Sequence, residues 1–153
     1  MRHHRLTPAL LIASVALLSS CGGDSLLEAD ADIAFLVGDW DATRFVVQSK
    51  ANPEVHPDLI GGLGAKFSVN VQPSGQYTAI LVYQGNPFTE IGLISIQGGD
   101  IIFHVSFPEP ATNRSKFTSP SSGRLTLVGD TEFQFIPGAE PQPAIATIDI
   151  KKR

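Results

Sequence analysis

From residue 38 onward, apolar and polar residues alternate with a period of two in short stretches separated by turn-forming residues. That period puts successive side chains on opposite faces of a strand, so each stretch buries one face and wets the other. Phe67, Val69 and Val71 alternate with Ser68, Asn70 and Gln72, and Ile101, Phe103, Val105 and Phe107 share one side of another run. Phe133 and Phe135 alternate with Glu132 and Gln134, and Ile148 and Ile150 with Thr147, Asp149 and Lys151. Adding the less regular runs, eight strands are predicted, at residues 40–48, 67–72, 76–83, 89–96, 101–107, 124–128, 132–135 and 147–151. Sustained helical periodicity is absent from this region, which makes the fold class all-β.

The connectors set the topology. Pro73-Ser74-Gly75, Gly98-Gly99-Asp100 and Gly129-Asp130 supply the turn chemistry of tight hairpins, so neighbouring runs should be adjacent and antiparallel. Sequential hairpins favour an eight-stranded antiparallel up-and-down barrel, whose closure removes the exposed edges that invite aggregation. A two-layer sandwich is the competing arrangement. Two connectors are long. Residues 49–64 carry Pro53, Pro57 and three glycines and could form a lid at a barrel mouth; residues 108–123 read as a surface insertion. The Gly61-Gly62-Leu63-Gly64 run reads as loop flexibility, since it lacks nucleotide-binding spacing.

Ahead of this region, residues 6–18 are apolar except for Thr7 and Ser14, behind a head containing Arg2 and Arg5. A bilayer-spanning helix needs about 20 apolar residues, so the run is too short to span and has the form of a secretory signal. It ends in Leu18-Ser19-Ser20-Cys21, and Cys21 is the single cysteine of the chain. The stretch resembles the signal peptide and lipobox of bacterial lipoproteins. That resemblance implies cleavage before Cys21 and a thioether-linked diacylglycerol on it, usually with an amide-linked acyl chain such as palmitate. Each buried methylene contributes about 0.8 kcal/mol, so two or three chains would hold the protein to a membrane of the cell envelope. Gly22-Gly23 lacks the aspartate that favours inner-membrane retention in enterobacterial lipoproteins. For a Gram-negative host this implies the outer membrane, facing the periplasm. The expected organisation is a signal peptide at 1–20, a lipidated N-terminus and flexible tether at 21–32, and one domain at 33–153.

Removing residues 1–20 leaves nine basic residues against 15 acidic ones, a net charge of −6. An acidic surface argues against a nucleic-acid partner. With Cys21 acylated, the mature chain has no thiol, and its stability must come from packing. About 130 residues bury roughly two-thirds of the surface of their unfolded chain, enough for one unaided core.

Phe35-Leu36-Val37-Gly38-Asp39-Trp40 opens the first strand with Gly-x-Trp, and a meander follows. This resembles the lipocalin-like small domains of bacterial lipoproteins, in which a short helical turn leads into Gly-x-Trp at the closed end of a calyx. The resemblance implies that Trp40 plugs the barrel floor and that Arg153 or Lys151 packs across it. It also implies an interior that binds or carries a small hydrophobic molecule.

If Trp40 faces inward, period two places Ala42, Arg44 and Val46 beside it. Arg44 would then hook the acidic head of a fatty acid or similar amphiphile, unless a bulge turns it out to solvent. Tyr77, Leu81 and Tyr83 of one strand, with Phe103, Val105 and Phe107 of another, would line the same interior, either as ligand contacts or as ordinary core. No catalytic residues, cofactor or metal site are expected. His56 and His104 are the mature histidines and lack companions for a metal set. There is no Gly-x-Ser-x-Gly elbow. Glu90, Asp100 and Asp130 read as solvated carboxylates at strand ends. The alternative to ligand carriage is an envelope scaffold or adaptor with a filled barrel.

Overall fold

Alternating strands joined by short turns pair with their sequence neighbours, and here the last also pairs with the first. In the computed structural model, whose described residues are 32–153, the elements are a 3-10 turn (Ala34–Leu36), β1 (Gly38–Ser49), β2 (Lys66–Val71), β3 (Gln76–Tyr83), β4 (Asn86–Gln97), β5 (Asp100–Phe107), β6 (Ala111–Ser121), β7 (Arg124–Phe133) and β8 (Gln142–Lys152). The expected signal peptide, the Cys21 lipidation site and the tether, apart from Asp32, lie outside the described residues. The eight strands form a closed antiparallel barrel in the order β1-β2-β3-β4-β5-β6-β7-β8. The sandwich alternative is thereby excluded.

Two expectations about the strands are corrected. Residues 108–123 are not an insertion but carry β6, which pairs with β5 and β7 in the barrel wall. Its inward side includes Asn113 and Ser115, opposite Phe103 and Ile101, so the apolar alternation that marks other strands is missing. The predicted strands at 124–128 and 132–135 are instead one strand, β7, and Gly129-Asp130 lies within it rather than at a turn. Gly129 serves close approach here: a Cβ at this position would lie 2.7 Å from Ser115 Oγ and 3.0 Å from the Arg114 carbonyl oxygen.

The connector after β1 is more ordered than a loose lid. β2 pairs with β1 only from Gly38 to Asp41, which leaves the upper edge of β1 unpaired by any strand. Backbone N–H groups of Val47 and Ser49 donate to the carbonyls of Pro57 and Val55, and Leu59 N–H donates to Phe45. The connector thus lies along β1 as an extra ribbon. Its bend is wound around Asp58, whose Oδ1 accepts the N–H groups of Phe45, Ile60 and Gly61, while Gly62 N–H donates to the Asp58 carbonyl. The glycine run therefore makes a bonded turn, not a flexible one.

Apolar packing divides into two clusters, one at each end. The lower cluster gathers Ile33, Leu36, Trp40, Val71, Tyr77, Ile101, Leu125 and Ile150, among others. The upper one joins Val47, Leu59, Ala65 and Ala144 to the partly buried Leu81, Tyr83, Phe133 and Phe135. Leu59 is brought into the upper cluster by the connector and is fully buried.

Trp40 closes the lower end. Its ring is 2% exposed, and Nε1–H donates to the Leu36 carbonyl at 2.7 Å, so the preceding 3-10 turn supplies the acceptor a buried indole needs. The cation over the indole is Lys152, with Nζ 5.4 Å from the ring centroid. This corrects the expectation of Arg153 or Lys151. Lys152 stands opposite Trp40 in the β1–β8 ladder, and strand alternation sends Lys151 to the other face. Arg153, beyond the strand, makes a two-pronged contact with Asp41, Nε to Oδ2 at 2.7 Å and Nη2 to Oδ1 at 2.6 Å.

Gly38 makes this arrangement possible, because its φ is +126° and a Cβ there would lie 2.8 Å from Lys152 Cε. Gly38→Ala is expected to lower unfolding free energy by about 1–3 kcal/mol, read as a reduced urea midpoint with an unchanged slope.

Candidate ligand cavity

Above the floor the barrel holds a partly open cavity of about 870 Å³. The reason is visible in the register. Ser115 of β6 faces Gly129 of β7, and Gly129 faces Ala146 of β8, so three adjacent strands present small inward residues at one height. All three line the cavity, together with Ala79 on β3. Eight-stranded barrels are just wide enough for side chains to fill, so a band of small residues leaves space for one small molecule. Above the floor residue Trp40, the walls are mainly apolar, with Val69, Phe103, Leu127 and Ile148 among the lining residues.

The lining also carries polar groups, among them Asn113 and Ser115 of β6 and a bonded pair on β3 and β4. Glu90 pairs with Ala79 and Gly92 with Tyr77, so Glu90 and Tyr77 lie on the same inner face of the β3–β4 hairpin. Tyr77 is 2% exposed and its hydroxyl donates to Glu90 Oε1 at 2.6 Å. Burial first, and then the hydrogen bond and charge of Glu90, push the Tyr77 hydroxyl well above the ordinary phenol range. The tyrosine therefore remains a donor that holds the carboxylate in place. The Tyr77 ring also meets Phe103 edge-on, with centroids 5.3 Å apart. At the rim, Lys50 Nζ lies 2.9 Å from Asp130 Oδ1.

Of the residues singled out in the sequence, Trp40, Tyr77, Leu81 and Phe103 line the cavity. Tyr83 belongs to the mouth cluster instead, 6.4 Å from Phe133, which in turn meets Phe135 at 5.1 Å. Arg44 and Phe107 point elsewhere. A bulge in β1 between Ala42 and Arg44 shifts the register against β8, so Phe45 takes the inward position opposite Ile148. Arg44 emerges half-exposed on the outer surface, with Nη1 3.5 Å from Asp149 Oδ2, and cannot hook a ligand inside the barrel. Phe107 is 52% exposed, because an irregularity in the β4–β5 ladder pairs it with the outward Ile91 while Val105 keeps the inward place opposite Gly92.

Glu90, expected to be solvated, is instead an interior group. Its period-two relation to Gly92, Ile94 and Ile96 carried that signal, obscured by the apolar Ile91 and Leu93 on the opposite face. Ser115, Gly129 and Ala146 could not be singled out, since only cross-strand register brings them to one level. Asp100 bonds Arg114 at 2.9 Å. His104 lies exposed beside Ser95, with Oγ and Nε2 3.1 Å apart. Among the described residues, no group of three or more His, Cys, Asp or Glu is placed to hold a metal ion.

No protein-family profile matches the chain, and no curated protein matches it. Among solved structures, it is similar to a lipocalin-like protein from Bacteroides uniformis, with 17% identity, a TM-score of 0.47, and coverage of 78% of this chain and 99% of that one. It is also similar to the Odorant Binding Protein OBP1, with 14% identity, a TM-score of 0.46, and coverage of 81% and 77%.

The connector along β1 makes stability depend on pH. Burial alone would raise the Asp58 carboxyl, but the N–H donors of Gly61, Phe45 and Ile60, with the charge of Arg44, hold it below its usual value. A depressed folded-state pKa contributes stability that is present above the unfolded value, about 3.9, and is lost as pH falls through the folded one. Asp58→Asn is expected to be less stable than wild type at pH 7 in urea titration, and the gap should narrow as pH is lowered below about 4.

Proposed function

We propose that the protein is a lipocalin-like carrier that binds a small hydrophobic molecule and is tethered in the cell envelope through lipidated Cys21. One observation carries the binding reading: a cavity of about 870 Å³ with mainly apolar walls above the Trp40 floor. Ligand pockets commonly span roughly 300–1,000 Å³ and combine an apolar lining with a few polar groups, and this interior fits that description. The barrel supplies the wall, and the small residues of β6, β7 and β8 keep the centre unfilled. The tether reading is supported by the leader sequence and the position of Cys21.

A second reading, an envelope adaptor, draws on the outer surface of β3 to β5, where Ile80, Ile91, Leu93 and Phe107 are exposed. Contiguous exposed apolar area is a common mark of protein contact. The carrier reading ranks first because an adaptor has no use for an unfilled interior.

Trp40 is the single tryptophan of the chain and lines the cavity, so its emission reports occupancy. Titrating the purified full-length chain with long-chain amphiphiles is expected to give a saturable change. Ala146→Phe, which fills the small-residue wall, should abolish it, whereas Arg44→Ala should bind as wild type does. A normal cellular phenotype with the filled variant would favour the adaptor. In a bacterial host, an alkyne-tagged palmitate analogue should label the wild-type protein and leave Cys21→Ala unlabelled.

A further inference from the structure

Resting on the carrier reading, the charges of the cavity narrow its ligand. The charged residues among its lining are Lys50, Glu90, Asp130 and Glu132. Lys50 is engaged with Asp130 at the rim, and Arg44 is committed to Asp149 outside. Among the described residues, the charged group on the inner wall is therefore Glu90. We infer that the ligand is an amphiphile with a positively charged amine head, seated against Glu90, rather than a fatty acid.

Tyr77 donates its hydroxyl proton to Glu90 Oε1 and so has none to offer an incoming acid. A carboxylate accepts through two oxygens with about four lone-pair sites, so one donor from Tyr77 leaves capacity for a ligand ammonium. An ammonium placed there gains charge-assisted hydrogen bonds to a half-buried carboxylate. A ligand carboxylate would instead meet Glu90 across the cavity, and like charges so placed disfavour the ionised form. The apolar remainder of the ligand would lie on Phe103, Leu127 and Ile148. Tyr77 acts as the positioning residue for the carboxylate.

The test compares dodecylamine, dodecanol and dodecanoate below their micellar concentrations, with the purified full-length chain at neutral pH, by calorimetry and Trp40 emission. Dodecylamine is expected to bind at least about tenfold more tightly than dodecanoate, with dodecanol between. Glu90→Gln should erase the amine's advantage over dodecanoate, and Tyr77→Phe should reduce that advantage in part. Dodecanoate binding as tightly as the amine, or an amine preference that survives in Glu90→Gln, overturns the inference and leaves the carrier reading intact. Saturable binding of none of the three overturns both. The wild-type comparison decides the matter even where a variant folds poorly.

Discussion

The ladder between β1 and β8 turns a meander into a tube, and most of what this protein can do depends on that closure. It runs from Trp40–Lys152 to Ser49–Ala144 and is broken only by the bulge after Ala42. Closure satisfies strand edges that would otherwise recruit other chains, and it brings the first and last strands together at the floor. The lysine that covers Trp40 comes from the C-terminal end of the chain, so the floor exists only when the barrel has shut. The same ladder decides which side chains of β1 enter the barrel, because one extra residue in the bulge exchanges the inner and outer faces beyond it.

A tube closed at one end by an indole and narrowed at the other by an apolar cluster need not be filled in between. The lower and upper clusters fasten the two ends, and the Asp58-centred turn secures the connector that completes the upper one. Ser115, Gly129 and Ala146 then leave room without loosening the frame, because their strands are held by ladders on both sides. Burying Glu90 is tolerable for a related reason. Its carboxylate has a fixed donor in Tyr77, and an interior polar group that is hydrogen-bonded avoids the main cost of desolvation.

Single residues show where the sequence was legible. Trp40, following glycine at the start of the first strand, could be assigned inward, as could Tyr77 and Phe103, since each precedes any irregular point of its own strand. Phe107 is misplaced by alternation carried across an irregular point in its ladder, whereas Arg44 stood between the interior and a bulge that turns it out, and the ladder shows the bulge. β6 escaped notice because inward positions such as Asn113 and Ser115 are polar, and Gly129-Asp130 mimicked a turn because glycine needed for close approach looks the same as glycine needed for reversal. The expected number of strands was right although one strand was missed and another divided.

By itself, then, the sequence determined the all-β class, the antiparallel hairpin order and the apolar floor around Trp40, because these follow from side-chain period and turn chemistry within a few residues. Tertiary structure alone decided closure, the exit of Arg44, the inward turn of Glu90, the choice of Lys152 over Arg153 and the existence of the cavity. Each of those depends on register between strands far apart in the chain, and register is set by the whole ladder rather than by any segment of it.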